Sequence, residues 1–377
     1  MSLSSHFTKR KVTKIIKDTA SFNSEISNLN IKIEPNIDSI PISKITKPKR
    51  KRTIKHIKLE TEDDTLSNNN INTPIPNNFF PIYNKIKEMR KLIITPVDLV
   101  GCIRIPLVLK YITQEYKKSP NLFKPLKIED LPNIQSIIDK FKIENSNDRY
   151  QLLVTLMFSS QTKDEINFIV MQNLHLHYLR KGYENGLCME SIISTSESEI
   201  DSLIFQIGFH KRKSSYLLET TNYLINNYNS DIPNLIENLI NLKGIGYKMG
   251  NLILQGAWNI TTGISVDTHM VRLCNMFGWY TKDKNPENIR KYLESMLINH
   301  KEIWNEINPV LVGFGQSICT PTSRRCDLCL LSTINKKNNV ICPAIDKRLL
   351  LRIKNGVDNN ERKIRGDLAN LIDYINS

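Results

Sequence analysis

From about Ile82 onward the apolar residues of this chain recur at intervals of three and four, and no stretch alternates for long enough to read as a strand. Ile82, Ile86, Met89 and Ile93 keep that spacing until Pro96 breaks it. Further helices are expected over Arg149 to Phe158, Glu197 to Ile207, Ser214 to Tyr228, Pro233 to Leu242, Met249 to Trp258, Thr268 to Phe277, Pro286 to Leu297 and Ile303 to Phe314. So many helices exceed one small bundle, and the fold class is therefore all-α, with two lobes.

Residues 1–80 lack this texture. Lys47-Pro48-Lys49-Arg50-Lys51-Arg52 is a dense basic run, and Leu66 to Asn78 is rich in Asn. Such a stretch buries too little apolar surface to offset its ordering entropy, so a disordered basic arm is expected. Its basic run has the form of a short nuclear-import signal, with a mitochondrial destination as the alternative. The formal net charge of the 377 residues is +14, but residues 1–60 alone hold 14 Lys or Arg against 5 Asp or Glu. The rest is mildly basic, and composition by itself does not name a polyanionic partner. No apolar run approaches the roughly 18–20 residues of a membrane helix, and the first residues lack the apolar core of a secretory signal. Neither a membrane partner nor a disulfide framework is expected, so the 7 cysteines read as metal ligands, reactive thiols or core residues.

The most informative stretch runs Leu242-Lys243-Gly244-Ile245-Gly246-Tyr247-Lys248-Met249-Gly250. One helix ends, Gly244 and Gly246 make a tight turn, and an apolar helix begins near Lys248. Glycines admit a left-handed turn and a close approach of backbone to ligand, and the N–H groups at a helix start suit a phosphate. Such a turn has the form of a helix-hairpin-helix, a grip on a DNA backbone that reads no sequence; taken alone it also has the form of an ordinary αα-hairpin that binds nothing, which is the more common case. An ammonium at a helix N-terminus opposes the dipole, a field that favours the free amine a nucleophilic lysine needs. Downstream, Val266-Asp267-Thr268-His269 places Asp267 where it caps the next helix. Four further residues, Cys319, Cys326, Cys329 and Cys342, are spaced C-x6-C-x2-C-x12-C. From spacing alone zinc is the default metal for such a set.

The region from Asp148 to Pro343 resembles endonuclease III of the helix-hairpin-helix glycosylase superfamily, in its eukaryotic form. The resemblance is carried by Arg149-Tyr150-Gln151, Ser159-Ser160-Gln161-Thr162-Lys163-Asp164, Gln206-Ile207-Gly208-Phe209, the hairpin, the segment at Asp267, and Leu311-Val312-Gly313-Phe314-Gly315-Gln316 before the cysteines. Pro96-Val97-Asp98 extends it upstream. It implies a bifunctional DNA glycosylase and abasic-site lyase that removes oxidised pyrimidines from double-stranded DNA, working as a monomer. Lys248 takes the position of the lysine that attacks C1′, and Asp267 that of the aspartate that supports it. Gln161 matches the residue that fills the space left by an extruded base, and Phe209 the wedge into the opposite strand. Gly244, Gly246 and Lys243 fall on the DNA-gripping turn. For the cysteines the resemblance implies a 4Fe–4S cluster rather than zinc, with Leu331 to Val340 as a loop insertion before the last ligand. Lys243 stands where the family has proline, and Gly250 where it has alanine.

The expected organisation is a basic arm (1–80), a helical segment with an insertion at about 103–143 (81–147), a six-helix lobe with the hairpin (148–280), helices and the cluster loop (281–346), and a tail (347–377). Three other readings stand beside this one. An adenine-mismatch glycosylase lacks the lysine and has a further C-terminal domain. A catalytically silent DNA-binding module, or a zinc-stabilised helical protein that only grips DNA, needs neither Lys248 nor Asp267. Arg324 and Arg325, between the first two cysteines, are expected to face phosphate. Cys102, Cys188 and Cys274 are expected in or near cores.

Overall fold

The computed structural model describes residues 73–332, 341–346, 348 and 365–376. The basic run at Lys47 to Arg52 and most of the loop before Cys342 lie outside them. The helices, in chain order, are α1 (Phe79–Lys91), α2 (Pro96–Val100), α3 (Ile105–Lys118), α4 (Leu131–Ile138), α5 (Ser146–Ser159), α6 (Asp164–Arg180), α7 (Met189–Ile193) and α8 (Glu197–Leu203). They continue with α9 (His210–Asn227), α10 (Ile236–Ile240), α11 (Tyr247–Trp258), α12 (Thr268–Met276), α13 (Pro286–Met296), α14 (Ile307–Ser317) and α15 (Ala369–Asn376). Among the described residues the one β pairing is an isolated antiparallel bridge between Ile94 and Asp367. The all-α, two-lobed expectation is what the molecule adopts.

Two apolar cores divide it. The first runs without a break in sequence from Leu99 to Ala257. At its centre lie α5, entered through an Asn145 cap whose side chain accepts from Asp148 N at 2.8 Å, and α6. The second core is assembled from both ends of the described chain: Phe79 to Ile93 on one side, Ile264 to Leu331 with Leu368 and Leu371 on the other. Helix α1 buries Phe79, Ile82, Tyr83, Ile86 and Met89 there, each contributing at most about 1.5–3 kcal/mol.

The stretch 103–143 is built into the first core rather than laid over it. Ile105, Leu107, Val108, Leu109 and Ile112 of α3 are buried, and Gln172 of α6 clamps Leu126 at both ends, accepting from its N–H at 2.8 Å and donating to its carbonyl at 3.1 Å. Leu187 N–H donates to His175 Nδ1 at 3.1 Å, so Nε2 carries the proton and donates to Thr113 Oγ1 at 2.8 Å. Gly186 lies flat on that ring at φ +59, where a Cβ would stand 2.5 Å from Cε1. The last described segment folds back on the second lobe. Gly366, at φ +81, passes so close to Ile94 that a Cβ would meet its carbonyl oxygen at 2.1 Å, and Arg365 donates to the carbonyls of Ser317 and Ser323.

Candidate active site and nucleic-acid interface

The hairpin sits where the two lobes meet. Between α10 and α11, Leu242 and Ile245 turn inward, and Gly244 adopts φ +81 against the Tyr216 ring. Gly246 opens α11 with no side-chain cap and nothing within 4 Å of where a Cβ would be. The N–H groups of the first turn are thus left for a ligand. At Gly250, where α11 packs on α10, an alanine Cβ would meet only Ile236 Cδ1 at 2.5 Å, the end of a side chain that can turn aside, so the space does not by itself demand glycine. Lys243 is exposed and ion-paired with Glu219.

Lys248 is the second residue of α11 and half-buried. The segment that delivers Asp267 is strapped down beside it. Thr262 Oγ1 donates to Asn251 Oδ1 at 2.8 Å, Ile264 N–H donates to Glu294 Oε1 at 2.8 Å, and Asn308 Nδ2 donates to Ser265 O at 2.6 Å. Glu294 is steadied in turn by Arg290 at 2.5 Å, and Arg290 stacks on Tyr247 with its guanidinium carbon 5.0 Å from the ring centre. Asp267 then caps α12, one oxygen accepting from Met270 N at 2.8 Å, while its other oxygen takes no part in the cap.

The charges of Lys248 and Asp267 act on the same neighbours. Burial raises the Asp164 carboxyl, and the hydrogen bond from Gln316 and the Lys248 ammonium pull it back down. Burial lowers His269, and the Asp267 carboxylate opposes this. The Cys102 thiol is pushed up to about 12 by burial and by Asp164, with Lys248 acting in the other direction. Sequence reading had put Cys102 in or near a core and did not single out Asp164. Gln316 ties this corner together, accepting from Val97 N at 3.1 Å and donating to Asp164 Oδ2 at 3.0 Å.

Two exposed tips flank the hairpin. Gln161 has φ +55 and Phe209 has φ +59, the latter with 60% of its surface open. They belong to one construction, since Gly208 N–H donates to Thr162 Oγ1 at 3.1 Å and a Cβ on Gly208 would stand 2.3 Å from the Gln161 carbonyl oxygen.

Cys319, Cys326 and Cys329 are buried, Cys342 is half-buried, and all are free thiols. Burial raises Cys329, and the thiols of Cys319, Cys342 and Cys326 raise it further. Cys342, pushed up to about 11 by burial, also feels Cys319 and Cys326. The four thiols therefore lie within electrostatic range of one another. Among the described residues no three His, Cys, Asp or Glu side chains gather closely enough to hold a single ion. Arg272 donates to Cys319 Sγ at 3.8 Å. Arg325 departs from expectation: it is 3% exposed and bonded to Asp327 at 2.8 Å, so it faces inward. Arg324 donates to the Ala344 carbonyl at 3.0 Å. Among the described residues no helix is long and apolar enough to cross a membrane.

Residues 154–297 match a family described as HhH-GPD superfamily base excision DNA repair protein. The chain is 36% identical over 290 residues to the endonuclease III homolog of Schizosaccharomyces pombe, covering 77% of this chain and 67% of that protein. Against endonuclease III homolog 2 of Saccharomyces cerevisiae the identity is 34% over 285 residues, covering 75% and 67%. A solved non-covalent endonuclease III–DNA complex superposes with a TM-score of 0.46 at 22% identity, over 65% of this chain and 98% of that one.

Proposed function

We propose, on the premise that this chain belongs to the endonuclease III family of base-excision repair DNA glycosylases, that it excises oxidised pyrimidines with Lys248 as nucleophile and cleaves the strand at the resulting abasic site. The observation that carries the reading is the strap that brings the Asp267 cap and the start of α11 to one corner, where Lys248 and Asp267 act on the same groups.

The target base first leaves the stack, at a cost of a few kcal/mol. Gln161 fills the vacated position and Phe209 enters the opposite strand. The Lys248 amine attacks C1′, forming a C–N bond as the glycosidic bond breaks and the base departs with its electron pair. The Asp267 carboxylate stabilises the positive charge that develops on the sugar. Loss of a proton from nitrogen and opening of the sugar give a Schiff base. Removal of a C2′ proton then expels the 3′ phosphate, and water releases the lysine. An amine can form this imine and a water nucleophile cannot, which is why Lys248 argues for lyase activity and against an adenine-mismatch enzyme or a silent binding module.

Cys319, Cys326, Cys329 and Cys342 would hold a 4Fe–4S cluster, and the chemistry of the donor set fits: four cysteine thiols within electrostatic range of one another, none in a disulfide. When bound, the cluster braces the loop that follows α14 and leaves the excision chemistry to Lys248 and Asp267. A monomer acting on damaged duplex DNA in the nucleus completes the proposal.

Borohydride trapping on an oligonucleotide with a single ring-saturated pyrimidine tests it. The wild-type protein should yield a covalent adduct and Lys248→Gln none, with binding retained. An adduct of undiminished yield in Lys248→Gln would assign the nucleophile elsewhere.

A further inference from the structure

One buried cation lies beneath both exposed tips of the interface. Lys213, on the first turn of α9, is 4% exposed. Its ammonium donates to the carbonyls of Phe158 at 2.8 Å and Ser160 at 2.6 Å. Both oxygens belong to the C-terminal end of α5, where the helix dipole favours a cation, and the next residue is Gln161 in its left-handed conformation. The same helix α9 starts from Phe209, whose carbonyl accepts from Lys213 N at 3.1 Å. Lys213 thus grips the Gln161 tip through its side chain and the Phe209 tip through its backbone. A cavity of about 190 Å³ opens beside it, lined by Ser160, Phe209, Arg212, Lys213, Tyr216 and Gly244, which places the lysine on the face shared with the hairpin.

Packing alone does not select this residue. Burial pulls the ammonium down to about 8, and an apolar side chain of similar length would fill the space without desolvating a charge. What the charge supplies is a fixed pair of bonds to two carbonyls of the last turn of α5, at the base of one tip. The carbonyls at a helix end otherwise turn to water.

We infer that Lys213 is a positioning residue for base extrusion, holding the Gln161 and Phe209 tips in register so that both enter the duplex together. The inference rests on the glycosylase reading above, because tips held in register matter only where a base must leave a stack.

The full-length protein is compared with Lys213→Met and Lys213→Arg on two substrates. One is a paired duplex with a single ring-saturated pyrimidine; the other carries the same lesion unpaired in a bulge, where extrusion costs little. In single-turnover measurements Lys213→Met should lose about tenfold or more in base release on the paired duplex and about twofold or less on the bulge. Lys213→Arg, which keeps donors for both carbonyls, should recover most of the paired-duplex rate. A 2-aminopurine opposite the lesion should brighten with wild type and stay dim with Lys213→Met. Equal rates for Lys213→Met and wild type on the paired duplex overturn the inference, as does an equal loss on both substrates, which marks a general structural role. If Lys213→Met does not fold, Lys213→Gln should show the same split to a smaller degree, and its absence there overturns the inference. A wild-type protein inactive on both substrates overturns the glycosylase reading itself, an outcome distinct from either of these.

Discussion

Ser265 donates its hydroxyl to the carbonyl of Lys248 at 3.2 Å, tying the first turn of α11 to the segment that ends at Asp267. The two groups assigned to chemistry are therefore joined by a bond between their own neighbours, and not merely brought near by the packing of separate helices. Perturbing the strap or the cap should move activity and stability by different amounts.

Asp267 has two tasks that substitution can separate. Asparagine caps a helix about as well as aspartate, while alanine loses the cap at a cost of about 1 kcal/mol. Asp267→Asn should melt close to wild type and Asp267→Ala lower, yet both should lose base release by about a hundredfold or more, as expected when a group facing developing charge is removed. Thermal melting with single-turnover kinetics checks both halves. A fast Asp267→Asn enzyme would confine this residue to capping.

Glu294 touches no expected substrate atom, but it accepts from Ile264 N at 2.8 Å and binds Arg290 at 2.5 Å. Glu294→Ala should free the strap and displace Asp267 slightly. About a tenfold to hundredfold fall in base release is expected from a misplacement of that size. DNA affinity, measured by fluorescence anisotropy, should barely change, because the hairpin glycines and the tips are untouched.

These positions also mark how far the sequence could be read. Lys248 and Asp267 stood out because each lies beside a local signal, a glycine turn and a helix start. Glu294 and Asn308 did not, because their partners in the strap lie 30 and 43 residues away. Helix α6 escaped detection for a different reason. It is buried nearly all round, and Asn167, Gln172 and His175 sit inside on distant partners, so it presents no apolar stripe for a period of 3.6 to reveal. The core role of α3 was likewise hidden, since a stretch unlike the family offers no pattern to compare. Lys213 was not singled out, because the carbonyls it binds lie 55 and 53 residues away.

His175 gives a pH prediction. Burial lowers its imidazole to about 3, while the unfolded ring titrates near about 6.5. The unfolded chain therefore binds the extra proton between those values. Stability held by the neutral ring is fully present above about 6.5 and is lost progressively as pH falls toward 3, on the order of 2 kcal/mol by pH 5. Melting curves across that range should fall more steeply for wild type than for His175→Asn, which starts lower because the bonds to Thr113 and Leu187 are gone.

Removing the last cysteine tests the metal centre. Cys342→Ser should lower bound iron and visible absorbance together, with only a modest loss of thermal stability, because Cys319 and Cys329 are held by backbone bonds to Phe314 and Cys326 that do not need it. Zinc in place of iron in the purified wild-type protein would reassign the site. The salt dependence of DNA binding should persist in the variant, with a slope near 0.9 per phosphate neutralised.

The two cores differ in when the ribosome can complete them. Every residue of the first emerges in one continuous run, Leu99 to Ala257, so that lobe can close while synthesis continues. Helix α1 emerges earlier with Phe79, Ile82, Tyr83, Ile86 and Met89 uncovered, and its partners begin only at Ile264. At about 5–20 residues per second that leaves an apolar face waiting for on the order of ten seconds or more. The nascent chain thus has a defined interval of vulnerability, and chaperones that bind short apolar helices should be found on α1 until translation passes α14.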